Sequence, residues 1–303
     1  MTSNRAVRFN QLPIALATIL AAASGAIAAP AHDAGFWRAI AHNKYTPPPG
    51  SDVPALAGEL VDLLPSPDPE LRDDIAYATL ASWIYQQKIL DAITIRSLVE
   101  RLLANLRRGI GERDTDSVFG RSFSALMLSV VVARDNADPF LDVGAWQQIE
   151  SAALAYLAAE QDLRGYDPDK GWMHSAAHTA DLLKFLGRSR FLDVAGQRPL
   201  LDAISDKLTH ASVVFTHGED ERFARAVLSL TARADFDDPA FAAWLQRAKP
   251  TVPEHPTVAQ LRASQNWKNL LAKLEVILSN DPQLSDRAAE ARAALRAALK
   301  PLF

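Results

Sequence analysis

Apolar residues in this chain recur at every third or fourth position and nowhere alternate in the manner of a half-buried strand. No Asn-Gly or Asp-Gly turn bounds a period-two segment. That pattern confines the chain to an all-α fold. The signals that punctuate the helices are of the expected kind, with Asp or Asp-Pro at their starts and Gly or Pro at their ends. They predict helices over residues 36–44, 53–64, 69–88 (capped by Asp68), 94–107, a segment capped by Asp116 or Ser117, 139–160 opened by Asp138-Pro139, 171–187, 197–209, 219–233, 238–249, 256–279 and 284–299. A spacing of about 40 to 45 residues per helix pair points to an irregular α-α superhelix of helical hairpins, HEAT-like in kind. A compact multi-helix bundle is the alternative, since its apolar faces would read the same way.

Residues 1–28 have the layout of a signal peptide: Arg5 and Arg8, an uncharged run from Leu12 to Ala23, then Ala26-Ile27-Ala28 as a cleavage site. Residues 29–303 are then a single all-helical domain, periplasmic or secreted, without a stable membrane span after cleavage. The absence of cysteine excludes disulfides and thiol chemistry. A net charge of −4 and no basic stripe give no footprint for nucleic acid. No Gly-x-Ser-x-Gly elbow, Walker loop or Gly-x-Gly-x-x-Gly fingerprint is present.

The polar chemistry concentrates in residues 171–183. Two of the seven histidines, His174 and His178, lie four apart, with Asp181 three further on. At about 100° per residue, with His174 at zero, His178 falls near 40° and Asp181 near −20°. Trp172, Ala176, Thr179, Ala180, Leu183 and Leu186 fall on the opposite side. The trio therefore faces away from the apolar stripe. Three roles fit it. His174, His178 and Asp181 could ligate a divalent metal such as zinc or iron; the glutamate of His-Glu-x-x-His is missing, so the metalloprotease motif is not matched. They could form a structural polar network, or they could recognise a small molecule or a protein partner.

Neighbouring clusters add candidates. Arg164, just before the central helix, could reach Asp181 or an anionic ligand. His217 and Glu219 open a later helix, where Glu219 is a candidate general base; Arg222 follows one turn on. Arg121 lies on an earlier helix, as a buried charge partner or an exposed residue.

Taken together, Arg121-Ser122-Phe123-Ser124-Ala125-Leu126, Asp162-x-Arg164-Gly165, Gly171-Trp172-x-His174-x-x-Ala177-His178-x-Ala180-Asp181-Leu182-Leu183 and His217-Gly218-Glu219-Asp220-Glu221-Arg222 occur in this order. The set resembles bacterial proteins grouped as domain of unknown function 2785, over a span from about Phe36 to Leu278. The resemblance implies an all-helical fold and carries no established activity. Two functions are expected: ligand or partner binding on a polar concave face lined by His174, His178, Asp181, Arg164, His217, Arg121 and Arg222, or a metal-dependent hydrolase built on the His-x-x-x-His-x-x-Asp trio.

Overall fold

Six helices begin on an aspartate whose carboxylate accepts the backbone N–H three residues on: Asp33, Asp52, Asp91, Asp142, Asp193 and Asp237. Each cap satisfies a donor that the first turn would leave unpaired, which is why the boundaries are sharp. The computed structural model describes residues 32–247, 252–280 and 289–300. Residues 1–28, read as a signal peptide, lie outside them.

Among the described residues there are twelve helices. They are α1 (Ala34–His42), α2 (Val53–Leu63), α3, α4 (Ala92–Asn105), α5 (Ser117–Ala137), α6 (Val143–Ala159), α7 (Ser175–Leu186), α8 (Val194–His210), α9 (Glu219–Thr231), α10 (Asp238–Arg247), α11 (Val258–Asn280) and α12 (Ala289–Leu299). Helix α3 is one rod in three parts: π-helical over Glu70–Tyr77, α-helical over Ala78–Ala81 and π-helical again over Ser82–Gln86. The fold is all-α, as the periodicity predicts.

Three local expectations are corrected. Asp138 does not open α6; it closes α5, its N–H bonded to Arg134 O, and Asp142 caps α6 instead. A short hairpin, β1 (Tyr166–Asp167) with β2 (Gly171–Trp172), precedes α7. The central helix therefore starts at Ser175 and not near Gly171.

Helix α7 lies between α5 and α9, and α9 in turn packs on α11. The helices form a multi-helix bundle around one continuous apolar core that runs from Trp37 to Ala298. Helix α5 is long and apolar enough to cross a membrane by length and composition, at a mean hydropathy of 1.3, but 83% of that window is buried inside the fold. It is the core helix, and α7 is its principal neighbour. Residues Ser175–Leu183 of α7 are buried without a break. His178 and Asp181 thus meet side chains of α5 and α9, Ser122 and Arg222.

Candidate functional site

The β1–β2 hairpin delivers the first histidine. Its turn is fixed by Asp167 Oδ1, which accepts N–H bonds from Asp169 and Lys170, each at 2.9 Å. Gly171 sits at φ +73, where an added Cβ would lie 3.2 Å from both Arg72 Nη2 and Pro69 Cβ. Only glycine meets both demands easily. The ladder continues past the strands: Met173 N bonds to Gly165 O and His174 N to Arg164 O. His174 then takes a left-handed conformation (φ 50, ψ 32) and becomes the N-cap position of α7.

His174 is therefore outside the helix on which its face was reckoned. Its Nε2 donates to His217 O at 2.8 Å, and Trp172 stacks on its ring at 4.3 Å and 23°. Burial holds its pKa below the ordinary value, against the pull of the His217 carbonyl.

His178, inside α7, is the better-defined group. Its Nδ1 lies 2.8 Å from Ser122 Oγ of α5. The Ser122 hydroxyl proton is committed to Met173 O. With one proton to give, Oγ can only accept from the histidine. His178 therefore carries its proton on Nδ1 and leaves the Nε2 lone pair free; Nε2 has no hydrogen-bond partner among the described residues. Phe123 and His174 meet the ring edge to face, at 4.9 Å and 5.7 Å. Burial first, then the charges of His174 and Arg222, hold its pKa well below the ordinary value, so the imidazole is neutral.

These rings line a cleft of about 510 Å³, together with Asp73 and Tyr77 of α3, Phe123 and Leu126 of α5, Trp172, His217, Gly218, and Glu221 and Arg222 of α9. Asp73 and Tyr77 come from a π-helical segment, a geometry that recurs at functional sites. Asp73 Oδ2 stands 2.6 Å from Arg72 Nη2, and Arg72 lies fully buried against the Phe119 and Phe123 rings at 4.0 and 4.9 Å. Burial pushes the Asp73 carboxyl up to about 6 despite that guanidinium. Burial raises the Tyr77 phenol too, with Asp181 adding to it. The cleft thus combines a neutral base, a carboxyl that titrates near neutrality and aromatic faces.

Other sequence candidates take different roles. Asp181 is buried and engaged by Lys184 Nζ at 2.8 Å and by Arg222 Nη1. Those cations neutralise it and turn it toward a neighbouring cleft lined by Tyr85, Lys184 and Phe185. The expected metal trio is not assembled, and among the described residues no group of three or more His, Asp or Glu is placed to hold a metal. Glu219, expected as a base, is buried behind the cleft. Its Oε2 accepts from His217 N at 2.8 Å and Oε1 is 4.0 Å from His174 Nε2, so it holds the His217 loop in place.

Arg164 reaches neither Asp181 nor the cleft. It clamps Asp162 and donates to Thr115 O. Arg121 is fully buried and pairs with Glu160 at 2.6 Å, away from the cleft. Arg222 and His217 do line it. His217 packs so closely on Gly165 that a Cβ there would fall 2.4 Å from its ring.

Sequence reasoning passed over four contributors. Ser122 stands in the motif beside Arg121, but only its partner across the helix interface gives it a role. Trp172, assigned to the apolar stripe, is 40% exposed in the cleft. Asp73 and Tyr77 lie about a hundred residues upstream of His178, and no local pattern links them to it.

A family model described as "Protein of unknown function (DUF2785)" matches residues 106–276. That span holds α5, the hairpin, α7 and α9, and so all of the cleft except Asp73 and Tyr77. No curated protein and no solved structure matches the chain.

Proposed function

The chain belongs to the DUF2785 family of proteins of unknown function, and from the cleft's geometry we propose that it binds a small polar ligand between α3, α5, the hairpin, α7 and α9. One observation carries this reading: His178 is locked with Nδ1–H on Ser122 and Nε2 open to the cleft. An accessible lone pair on a neutral imidazole of fixed tautomer is a ready acceptor for a ligand's hydroxyl or N–H. The aromatic faces of Trp172 and Phe123 favour a ligand with an apolar ring face. The lone pair of His178 and the carboxylates of Asp73 and Glu221 favour hydroxyl or N–H groups around that ring. His178 as proton acceptor and Asp73 as donor would support acid–base chemistry on such a ligand.

The test reads the histidine directly. Long-range proton–nitrogen NMR is expected to show His178 as the Nδ1–H tautomer from pH 7 to 8. Hydroxylated ring compounds, monosaccharides and nucleosides among them, should then shift its Nε2 signal. Ser122→Ala should destabilise the fold by about 1–3 kcal/mol through the orphaned Nδ1–H, and mix the tautomers. An Nε2–H tautomer in the wild type, or a His178→Ala variant that binds every hit as well as wild type does, would sink the proposal.

We place this site outside the cytoplasm. Support comes from the charged start, the apolar run and the Ala26-Ile27-Ala28 site of the amino-terminal stretch. Mass spectrometry of the full-length gene product from a periplasmic extract is expected to give a chain beginning at Ala29. An uncleaved chain retained in the cytosol argues against export.

A further inference from the structure

A second cleft, of about 840 Å³, lies further along α9 and shares no lining residue with the histidine site. Arg188, Arg190, Arg225 and Arg233 line it, with Ser189 and Ser229 among them. Four guanidinium groups around one hollow repel one another unless carboxylates neutralise them. Three are neutralised. Arg190 pairs with Asp135 at 2.5 Å, Arg225 with Glu221 at 2.7 Å and Arg233 with Asp235 at 2.8 Å.

Arg188 has no carboxylate partner among the described residues. It is nevertheless held in place. Its Nε donates to Ser229 Oγ at 3.0 Å, and that hydroxyl donates to Arg225 O at 3.0 Å. The Phe185 ring lies 5.4 Å from the guanidinium carbon. With Nε fixed, the plane of the group is set, and its two terminal nitrogens bond nothing else among the described residues. Burial and the charge of Arg225 both press against its protonated form. An incoming anion relieves that strain.

We propose that this cleft is an oxyanion site, in which the free fork of Arg188 takes a phosphate or carboxylate group of a small ligand. A planar fork with both terminal nitrogens open matches two oxygens of such a group, which a lysine cannot do. The volume suits a whole small molecule and not a lone inorganic ion. The inference is independent of the ligand proposed for the histidine cleft.

Calorimetric titration of the full chain tests it, with pyrophosphate and citrate as separate probes at low ionic strength. Saturable binding of one or both is expected, and which one binds tells phosphoryl from carboxylate chemistry. Affinity should fall as salt is raised. Arg188→Gln should weaken binding at least tenfold, and Arg188→Lys should recover only part of the loss. His178→Ala should bind like wild type. Arg188 is partly exposed and its side chain donates one hydrogen bond among the described residues, to Ser229, so these variants should fold, with circular dichroism as the check. Arg225→Gln gives a second reading on the same cleft and should also weaken binding. No saturable binding of either anion, or an Arg188→Gln variant indistinguishable from wild type, overturns the proposal.

Discussion

Alanine in place of Arg121 is expected to cost about 3–5 kcal/mol of folding stability, because it strands a buried carboxylate. Arg121 is fully buried and donates to both oxygens of Glu160, at 2.6 and 3.2 Å. Its third nitrogen donates to Arg108 O, Gly109 O and Ser117 Oγ at 2.8 to 3.0 Å. Glu160 is itself only 3% exposed. It keeps the N–H groups of Gln161 and Asp162 as donors when Arg121 is removed, but among the described residues no other cation pairs with its carboxylate; the nearby Lys207 ammonium bonds its main-chain oxygen instead. Urea denaturation followed by circular dichroism measures the cost. Arg38→Ala, at the exposed pair with Glu70, is the control and should leave the midpoint almost unmoved. Equal midpoints for the two variants would show that Arg121 is not the buried anchor described. The pair also matters to the cleft, since it ties α5 to the segment after α6 one residue before Ser122.

Mild acid is expected to weaken the fold before the ordinary carboxylates titrate. His174 and His178 are held below the ordinary imidazole value of 6.5 by burial. In the unfolded chain they take up protons near 6.5, while the native state does not. The unfolded state therefore binds more protons in the window just below 6.5, and stability rises with pH there. Asp73 acts in the opposite sense. Its native carboxyl, raised from 3.8 to about 6, binds a proton that the unfolded chain lacks, so its contribution is lost as pH rises through that range. Between about pH 6 and 7 the histidines act with least opposition. Urea midpoints should fall as pH drops from 7 to 6, and His178→Gln should flatten the slope. A wild-type midpoint constant across that interval would mean that the imidazoles are not desolvated.

Much of the fold was legible because its causes are local. Aspartate caps and glycine or proline stops act within a few residues, so Asp68, read from the sequence as a cap, does accept the N–H of Glu70 at the start of α3. The hairpin was not legible, because its strands are two residues long and carry no alternation. The π-helical turns of α3 were not either, since an apolar pattern does not distinguish one helical pitch from another. Of the candidate site, the wheel placed His178 and Asp181 on one side of α7. It could not say what stood across from them. Ser122 turned one into a base aimed at the cleft, while Arg222 and Lys184 turned the other into half of an ion pair. His174 left the wheel altogether through one left-handed residue. Position on a helix is a local property, and the partner that decides the chemistry is not.

The bond from Ser122 to the carbonyl of Met173 has a further meaning. A hydroxyl has one hydrogen, and where it goes dictates what the oxygen can offer on its other side. Residue 173 belongs to the connection out of the hairpin, so main-chain conformation there selects which nitrogen of the imidazole is basic. Were that carbonyl to turn away, the serine would regain its hydrogen for the ring, and the reactive lone pair would migrate to the inner nitrogen. A peptide-plane rotation at this point is chemically equivalent to moving a proton across the imidazole.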